Sequence, residues 1–446
     1  MMRGSERRRG AIRKWLVLFS VWGVVSSAMA GCVNKPVVQG RETLKVMAVD
    51  ENQFMSRYGQ FFMLQHTNVD IQIPSMLQVY SVEKSNLLEE ISDFIDRERP
   101  DVLDLNLKQY FQLAAEGKLL HLDPFVSGHE FDLERLHPYL TELLRAGSQR
   151  ELYGLSPTFS TQALYYNKEL FDRYGISYPE SNMSWQQFQT LVQRFAGQRN
   201  GDAPLYGYSS MSVPMDQLIR LMALSRQLRL PESSAELSLL QAPAWNQLFK
   251  EVVSLYQSGA AYDQHRDFSQ SKRGLDSQLF LQGNSAMTIE DSSYVYLLTN
   301  TGKVNWGVAS IPIDPQFPQR GADYVVPHIY AIHAQTPNPE LAWSLIAFLH
   351  SEETAKMNAK VSSTGLSARR DVMDAKKEFY EPFYSLRPPT DLDVRLDTTE
   401  DLKTLQTISE QLYRVAAGEL TYEQAMSMIT AKLSAVKSRG SADGSS

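Results

Sequence analysis

The chain has 446 residues, a net charge of −7 at pH 7, 10% aromatic residues and one cysteine. Its acidic balance argues against a nucleic-acid-binding protein, which needs a basic face to neutralise phosphates. One cysteine excludes an intrachain disulfide, and the length exceeds that of one ordinary core, so two or three domains are expected.

Residues 1–31 have the layout of a secretory signal peptide. A basic segment (1–14) is followed by an uncharged one (15–30) and then by Cys32. The uncharged run is shorter than the roughly 20 residues of a membrane-spanning helix. Ala30-Gly31-Cys32 resembles the lipobox of bacterial lipoproteins, in which the cysteine is diacylated and becomes the mature N-terminus. The alternative is an incidental thiol inside a signal anchor.

The mature chain begins with a polar segment and continues with alternating strands and helices. We expect a lipidated tether over 32–42. Periodicity then predicts strands at 43–49, 70–79 and 101–105 and helices at 54–66, 86–97 and 110–116. This alternation, repeating about every 25–30 residues, predicts βαβ units and a largely parallel sheet.

A second series of elements begins after residue 157. It begins with a strand at 161–166, a helix begun by Asn167 and Lys168, and a helix capped by Ser184. A mostly helical region at 213–300 contains one strand at 285–289 and is followed by strands and turns at 306–332. Helices at 338–359 and 402–436 and a disordered tail at 437–446 complete the chain. Tyr165, Trp185 and Trp343 are expected to pack in the core.

Several short motifs occur in a specific order along the mature chain. They are DVL at 101–103, LAAEGKLLHLDPF at 113–125, YGLSP at 153–157, LYYNKELF at 164–171, FLQGNSAM at 280–287, GVASIP at 307–312, AWSLIAFL at 342–349 and GLSARRD at 365–371. Taken together, they resemble the family 1 extracellular solute-binding proteins, the ligand receptors of ABC importers, which include maltose-binding proteins.

The resemblance implies an α/β protein with the two-lobed periplasmic-binding-protein type 2 fold. Each lobe is expected to hold a central sheet flanked by helices, with the ligand cleft between the lobes. Lobe I is expected to comprise 43–158 plus 322–366, and lobe II 159–321 plus 367–436. Crossing segments are expected near 155–162, 320–326 and 362–367. In such a design both lobes contact the ligand only when they close.

Ligand-binding residues are expected where strands end, because open α/β sheets bind ligands there. The candidates are Asp50, Asn52, Asn106, Tyr110, Phe159, Ser160, Gln162, Asp291 and Tyr294. Sugar recognition needs an aromatic face for stacking and polar side chains for hydroxyls. Tyr294 is our hypothesis for the stacking platform. Packing is the alternative for Phe159 and Tyr294, and turn formation or helix capping for Asp50, Asn106 and Asp291.

The resemblance also implies a function without catalysis. We expect a monomeric receptor, lipid-anchored on the extracytoplasmic face of the cell membrane, that captures a sugar or oligosaccharide and delivers it to ABC permease subunits. Alternatives are a receptor of the same fold for a non-sugar nutrient or for a sensor kinase, and a secreted glycoside-active enzyme.

No cofactor, catalytic group, metal site or nucleic-acid partner is expected. His121, His129 and His137 are eight residues apart, whereas two histidines that share an ion on a helix usually lie about four apart. The adjacent pair Glu89-Glu90 points apart on a helix, which does not suit the two opposed carboxylates of a glycosidase.

Overall fold

The computed structural model describes residues 41–76, 79, 87–146, 150–210, 212–263, 279–320, 323–361, 365–372, 377–389 and 399–443. The signal peptide, Cys32 and nearly all of the expected tether lie outside the described residues. Across the ranges given above, no helix is long and apolar enough to span a membrane.

The first sheet has five strands in the order β2-β1-β3-β12-β4. Its strands are β1 (Glu42–Met47), β2 (Val69–Gln72), β3 (Val102–Leu105), β4 (Gly154–Leu155) and β12 (Ile329–Ile332). Strand β1 is parallel to β2 and β3, while β12 is antiparallel to β3 and β4. We call the part of the chain built on this sheet lobe I.

The second sheet has four strands in the order β11-β6-β10-β9. Its strands are β6 (Gln162–Asn167), β9 (Tyr206–Tyr208), β10 (Ser285–Asp291) and β11 (Trp306–Ser310). Two short strands, β7 (Arg199–Asn200) and β8 (Ala203–Pro204), pair with each other outside this sheet. Strand β6 is antiparallel to β10 and β11, and only β9 and β10 are parallel. We call the part built on this sheet lobe II.

The expectation of a largely parallel sheet is therefore correct only for β2-β1-β3. Strands β6 and β12 each enter their sheet after the chain has crossed from the other one. A βαβ connection makes two neighbouring strands parallel. Since β6 and β12 are not joined to their neighbours by such a connection, they can run antiparallel to them.

Helices flank both sheets. They are α1 (Glu51–Phe54), α2 (Gln60–Gln65), α3 (Leu87–Glu98), α4 (Leu107–Ala115), α5 (Asp123–Gly128), α6 (Pro138–Leu144), α7 (Lys168–Tyr174), α8 (Trp185–Gln193), α9 (Met215–Ser225), α10 (Pro243–Gln257), α11 (Ser293–Thr301), α12 (Pro339–Leu349), α13 (Glu352–Val361), α14 (Lys377–Tyr384), α15 (Thr399–Ala416) and α16 (Tyr422–Asp443). A π-helical turn, Met55–Gly59, joins α1 to α2.

Three expectations need correction. The helices expected at 338–359 and 402–436 are each divided in two, and the second strand ends at Gln72, before Pro74. The expected disordered tail is helical as far as Asp443. Extending an existing helix orders one residue per added hydrogen bond, which costs far less than starting a new one, so α16 continues through a polar sequence.

Local capping follows the sequence closely. The side chain of Asn167 caps α7, and Ser184 forms a capping box with Gln187 at the start of α8. Both side chains accept hydrogen bonds from backbone N–H groups that have no partner within the helix. Tyr165, Trp185 and Trp343 are buried as expected.

Three segments between the sheets lie side by side. Strand β5 (Thr158–Phe159) pairs with β13 (Leu366–Ser367), and Ser160 forms an antiparallel bridge with Val325. These residues fall within the crossing segments expected from the sequence. The exact bounds of the two lobes stay a prediction.

Candidate ligand cleft

Polar side chains collect at one edge of each sheet. In lobe I this edge holds the ends of β1 and β3 and the start of β12, because Leu105 pairs with Ile329. In lobe II it holds the ends of β10 and β11 and the start of β6, because Asp291 pairs with Gln162. Only residues 156–161 separate β4 from β6. The two edges are therefore brought together at the crossing segments, and the space between them is the candidate ligand cleft.

The lobe I edge contains a small recess with a buried ion pair. We define the lobe I recess by its lining residues, which are Asp50, Gln53, Phe54, Arg57, Tyr58, Asp104, His328 and Tyr330. Both carboxylate oxygens of Asp104 lie 3.0 Å from Nδ1 of His328. Since a carboxylate only accepts, Nδ1 donates, and the other ring nitrogen of His328 is left available.

The environment of this pair shifts both pKa values upwards. Burial raises the pKa of Asp104, and its hydrogen bond to His328 offsets part of that rise. The pKa of His328 is raised chiefly by the same hydrogen bond, against an opposing effect of burial. The side chain of His328 is 30% exposed and that of Asp104 is 6% exposed, so the imidazole lies on the open side of the pair.

The lobe II edge holds a buried carboxyl group, that of Glu290, which has no cationic partner among the described residues. Glu290 accepts hydrogen bonds from the hydroxyl groups of Thr288, at 2.8 Å, and Ser210, at 3.1 Å. Burial is the main cause of the raised pKa of Glu290, and the surrounding hydroxyls oppose it. Proton uptake by Glu290 is therefore favoured relative to an exposed glutamate.

Several buried polar atoms at the same edge lack a hydrogen-bond partner within the described part of the chain. They are Oγ1 of Thr161, Oε1 of Gln162 and Oγ of Ser292. An unpaired buried polar atom costs about 1–3 kcal/mol. This edge, beside Asp291, therefore has unused hydrogen-bonding capacity.

A second buried ion pair joins lobe II to the segment that leads back to lobe I. Arg220, on α9, makes two hydrogen bonds to the carboxylate of Asp323, one of them at 3.0 Å. Both side chains are less than 9% exposed. Asp323 precedes Val325, which forms the bridge with Ser160. This pair therefore fixes the crossing segment to lobe II.

Two of the residues expected to bind ligand belong to the core instead. Tyr110 is fully buried, and its hydroxyl group donates to the carbonyl of Leu144 at 2.7 Å. Phe159 is also fully buried and stacks on Tyr324 with ring centroids 4.7 Å apart. Both side chains turn towards apolar neighbours because burying an aromatic ring is more favourable than exposing it at the cleft.

The other expected residues lie at or near the two edges. Asp50 is exposed and caps α1 through Gln53, and Asn52 is exposed in the first turn of that helix. Asn106 forms a capping box with Gln109, which is the capping alternative foreseen from the sequence.

In lobe II, Ser160 and Gln162 are half-buried at the crossing. The carboxylate of Asp291 accepts from the backbone N–H of Ser293 at 2.8 Å. Tyr294 packs edge-on against Tyr165, with centroids 5.2 Å apart. Ligand contact by these residues stays a prediction.

Sequence reasoning missed Arg57, Asp104, His328 and Glu290. One signal was visible for the two acidic residues, since each is a charged residue inside an otherwise apolar strand (DVLDL and SAMTIE). A carboxyl group placed in a buried strand needs a partner, so it is a site candidate on physical grounds. Within the described ranges, no cluster of side chains suited to a metal ion is present.

Two lobes with a polar edge each, joined by three adjacent crossings, are the architecture of a two-lobed solute receptor. A model of the bacterial extracellular solute-binding protein family matches residues 94–381. The chain therefore belongs to the bacterial extracellular solute-binding protein family. Members of this family bind solutes and are not enzymes.

Comparisons with individual proteins agree with this assignment. A protein of Brucella abortus (strain 2308), described as a binding protein, is 22% identical over 360 residues, covering 77% of this chain and 78% of its own length. A sugar transporter structure from Rhizobium etli in an open conformation has a TM-score of 0.64 at 16% identity and covers 87% of this chain and 98% of its own.

A further structure, the sugar-binding protein MalE of Xanthomonas citri, gives a TM-score of 0.63 at 18% identity. It covers 89% of this chain and 98% of its own. At these identities the similarity establishes the fold, and the two-lobed α/β architecture expected from the sequence is confirmed.

Proposed function

We propose that this protein is a receptor that captures a sugar or oligosaccharide between its lobes and delivers it to an ABC importer. The observation that carries the proposal is the polar lining of both cleft edges. Lobe I offers Asp50, Arg57 and His328, and lobe II offers Asp291. Charged and amide side chains that converge on one cleft suit a ligand rich in hydroxyl groups.

Similar proteins support the sugar class. Solved structures of this fold include a maltose-bound MalE3 of T. maritima and a solute-binding protein of Agrobacterium vitis with D-mannitol. Both ligands are uncharged polyols. The proposal for this chain rests on that likeness together with the polar cleft edges.

The ligand class is tested by a thermal-shift screen on protein purified after export from its full-length precursor. The panel contains maltose, D-mannitol, D-tagatose, uronic acids, amino acids and short peptides. A ligand at 100 times its Kd adds about 2.7 kcal/mol to the free energy of unfolding and raises the melting temperature. A shift with peptides or amino acids alone contradicts the sugar assignment.

The role of the cleft edges is tested with Asp50→Asn and Tyr294→Ala. Asparagine is as good a helix cap as aspartate, so Asp50→Asn removes the charge and keeps α1 intact. We expect each variant to weaken sugar binding more than twofold, measured by calorimetry. The matched control Glu340→Gln changes an exposed carboxylate that pairs with His129 on a different surface, and it leaves the affinity unchanged.

We further propose that Cys32 carries the lipid anchor and that the monomeric protein stays beside its permease on the extracytoplasmic face of the membrane. A tether of about 10 residues keeps the receptor at high local concentration near its transporter. Cys32→Ser is expected to release the protein from the membrane fraction. Complete retention of this variant on membranes refutes the tether.

The permease partner is tested by genetics and transport. Permease genes beside the gene for this chain, and loss of uptake of the identified sugar on its deletion, support delivery to an importer. Normal uptake combined with loss of a transcriptional response to the sugar favours the sensor-kinase alternative instead.

A further inference from the structure

The lobe I recess contains two basic side chains, Arg57 and His328, with unused hydrogen-bond donors. Nε of Arg57 donates to Oδ1 of Asn358 at 3.1 Å. The terminal NH₂ groups of Arg57 have no hydrogen-bond partner within the residues that the structure describes. His328 lines the same recess with a side chain that is 30% exposed, and its second ring nitrogen is not used by Asp104. Both cations thus keep donors for a ligand.

The buried carboxylate of the recess is already engaged. Both oxygens of Asp104 accept from His328. Asp104 is 7% exposed as a residue. A ligand therefore cannot use it as an acceptor without breaking the ion pair.

Positive charge exceeds negative charge in the interior of the recess. Arg57 and His328 carry two positive charges against the single buried negative charge of Asp104, when the imidazole is protonated. Asp50 lies at the rim, where it is exposed and engaged with the backbone N–H of Gln53 at 2.9 Å. Water screens an exposed carboxylate more strongly than a buried one, so the interior of the recess favours a negative group.

A sugar hydroxyl and a carboxylate place different demands on such a surface. A hydroxyl accepts hydrogen bonds and also brings an O–H that needs an acceptor, whereas a carboxylate brings acceptors only. Hydrogen bonds from a guanidinium or an imidazolium to a carboxylate are about twice as strong as those between neutral groups. The donor-rich interior is thus matched by a carboxylate.

We infer that the lobe I recess binds the carboxylate of an acidic sugar, with Arg57 and His328 as its donors and Asp104 as the positioning residue of His328. The inference rests on the proposed function and narrows its ligand class from sugars in general to uronic acids and their oligomers. The hydroxyl groups of such a ligand face lobe II, where Asp291 supplies an acceptor.

The test compares sugars that differ only in the carboxylate. D-galacturonate is paired with D-galactose and D-glucuronate with D-glucose, with maltose as a neutral reference, in calorimetric titrations of the exported protein at pH 6.5. We expect at least one acid to bind ten times more tightly than its neutral counterpart. His328→Gln and Arg57→Gln are each expected to reduce that preference at least fivefold, while the control His129→Gln leaves it unchanged.

Asp104→Asn distinguishes a positioning role from a merely structural one. In the natural protein the preference for the acid is expected to fall as pH rises through the pKa of His328, which the bond to Asp104 raises. Without that carboxylate the fall is expected at lower pH. Unfolding midpoints of all four variants show whether each is folded under the titration conditions.

The outcomes separate this inference from the proposed function. Binding of maltose or another neutral sugar with no preference for either acid overturns the inference and leaves the sugar receptor standing. A preference for the acid that survives both His328→Gln and Arg57→Gln also overturns it, since the carboxylate then binds elsewhere. If no sugar of either kind binds, the proposed function fails and the inference fails with it.

Discussion

The segment from Asp323 to His328 is held at its two ends by ion pairs of different character. At the lobe II end, Asp323 pairs with Arg220, and both side chains are enclosed. At the lobe I end, His328 pairs with Asp104, and the imidazole is partly exposed to the recess. Arginine stays charged throughout the pH range of proteins, whereas histidine changes charge near neutrality. One end is therefore a permanent attachment, whereas the charge at the other end changes with pH.

The segment from Asp323 to His328 therefore takes part both in the attachment to lobe II and in the candidate binding site of lobe I. An enclosed ion pair adds little net stability over apolar packing, yet removal of one partner leaves a buried charge and is costly. A partly exposed pair that faces a cleft has donors left for a ligand. Arg220 accordingly lies at the enclosed end of the segment, and His328 lies at the end that is partly exposed to the recess.

The largest effect is expected from breaking the lobe II pair. Arg220→Met leaves the carboxylate of Asp323 buried without its cation, so the free energy of unfolding is expected to fall by about 3–5 kcal/mol, measured by urea denaturation. The exposed pair Lys356–Glu352 provides the control, and Lys356→Met is expected to change stability by about 0.5 kcal/mol or less. If Arg220→Met lowers the free energy of unfolding by less than about 1 kcal/mol, Arg220 and Asp323 do not form an enclosed ion pair.

A smaller effect is expected at the lobe I end. Asp104→Asn replaces a charge-assisted hydrogen bond by a neutral one, and at pH 6 the free energy of unfolding is expected to fall by about 2 kcal/mol. Asp132→Asn, which changes an exposed partner of Arg135, serves as the control and is expected to be nearly neutral. If Asp104→Asn is also neutral, His328 is not held by this carboxylate.

The stability difference between the natural protein and Asp104→Asn is expected to depend on pH. Because the folded-state pKa of His328 lies above its ordinary value, the stabilisation is complete below about pH 6.5 and is lost as pH rises through the raised pKa. The raised pKa of Asp104 acts in the same direction, since the folded protein again holds its proton more tightly.

Urea midpoints at pH 6, 7, 8 and 9 measure this dependence. We expect the difference at pH 9 to be less than half of that at pH 6. The variant Asp132→Asn, compared with the natural protein in the same series, should show a flat difference. A difference that grows with pH is incompatible with a charged His328 as the stabilising partner.

The smallest effect is expected at Glu290, a buried carboxyl group whose partners in the described part of the chain are hydroxyl groups. Glu290→Gln keeps the shape of the side chain, and we expect it to cost about 1 kcal/mol or less at pH 7. Since burial raises the pKa of Glu290, the natural protein should gain stability relative to the variant as pH falls from 7 to 5. If Glu290→Gln lowers the free energy of unfolding as much as Asp104→Asn does, the cationic partner His328 does not account for a difference between Asp104 and Glu290.

Much of the secondary structure is predictable from sequence because its causes are local. Strands β1, β3 and β10 are short apolar runs between polar turns, and the caps at Asn167 and Ser184 depend on residues three positions apart. The site was only partly predictable. Asp50 and Asp291 do lie at the cleft edges, but Tyr110 follows the same strand as Asn106 and turns into the core. Position along the chain does not reveal which way such a side chain points.

The sequence by itself determined the order of strands and helices, the family motifs and the presence of a cysteine where a lipoprotein needs one. These are patterns over a few residues, set by periodicity, capping and composition. Only the tertiary structure decided that Asp104 meets His328 across 224 residues of chain. That contact depends on the antiparallel register of β12 against β3, which is fixed when the chain returns from lobe II and β12 pairs between β3 and β4.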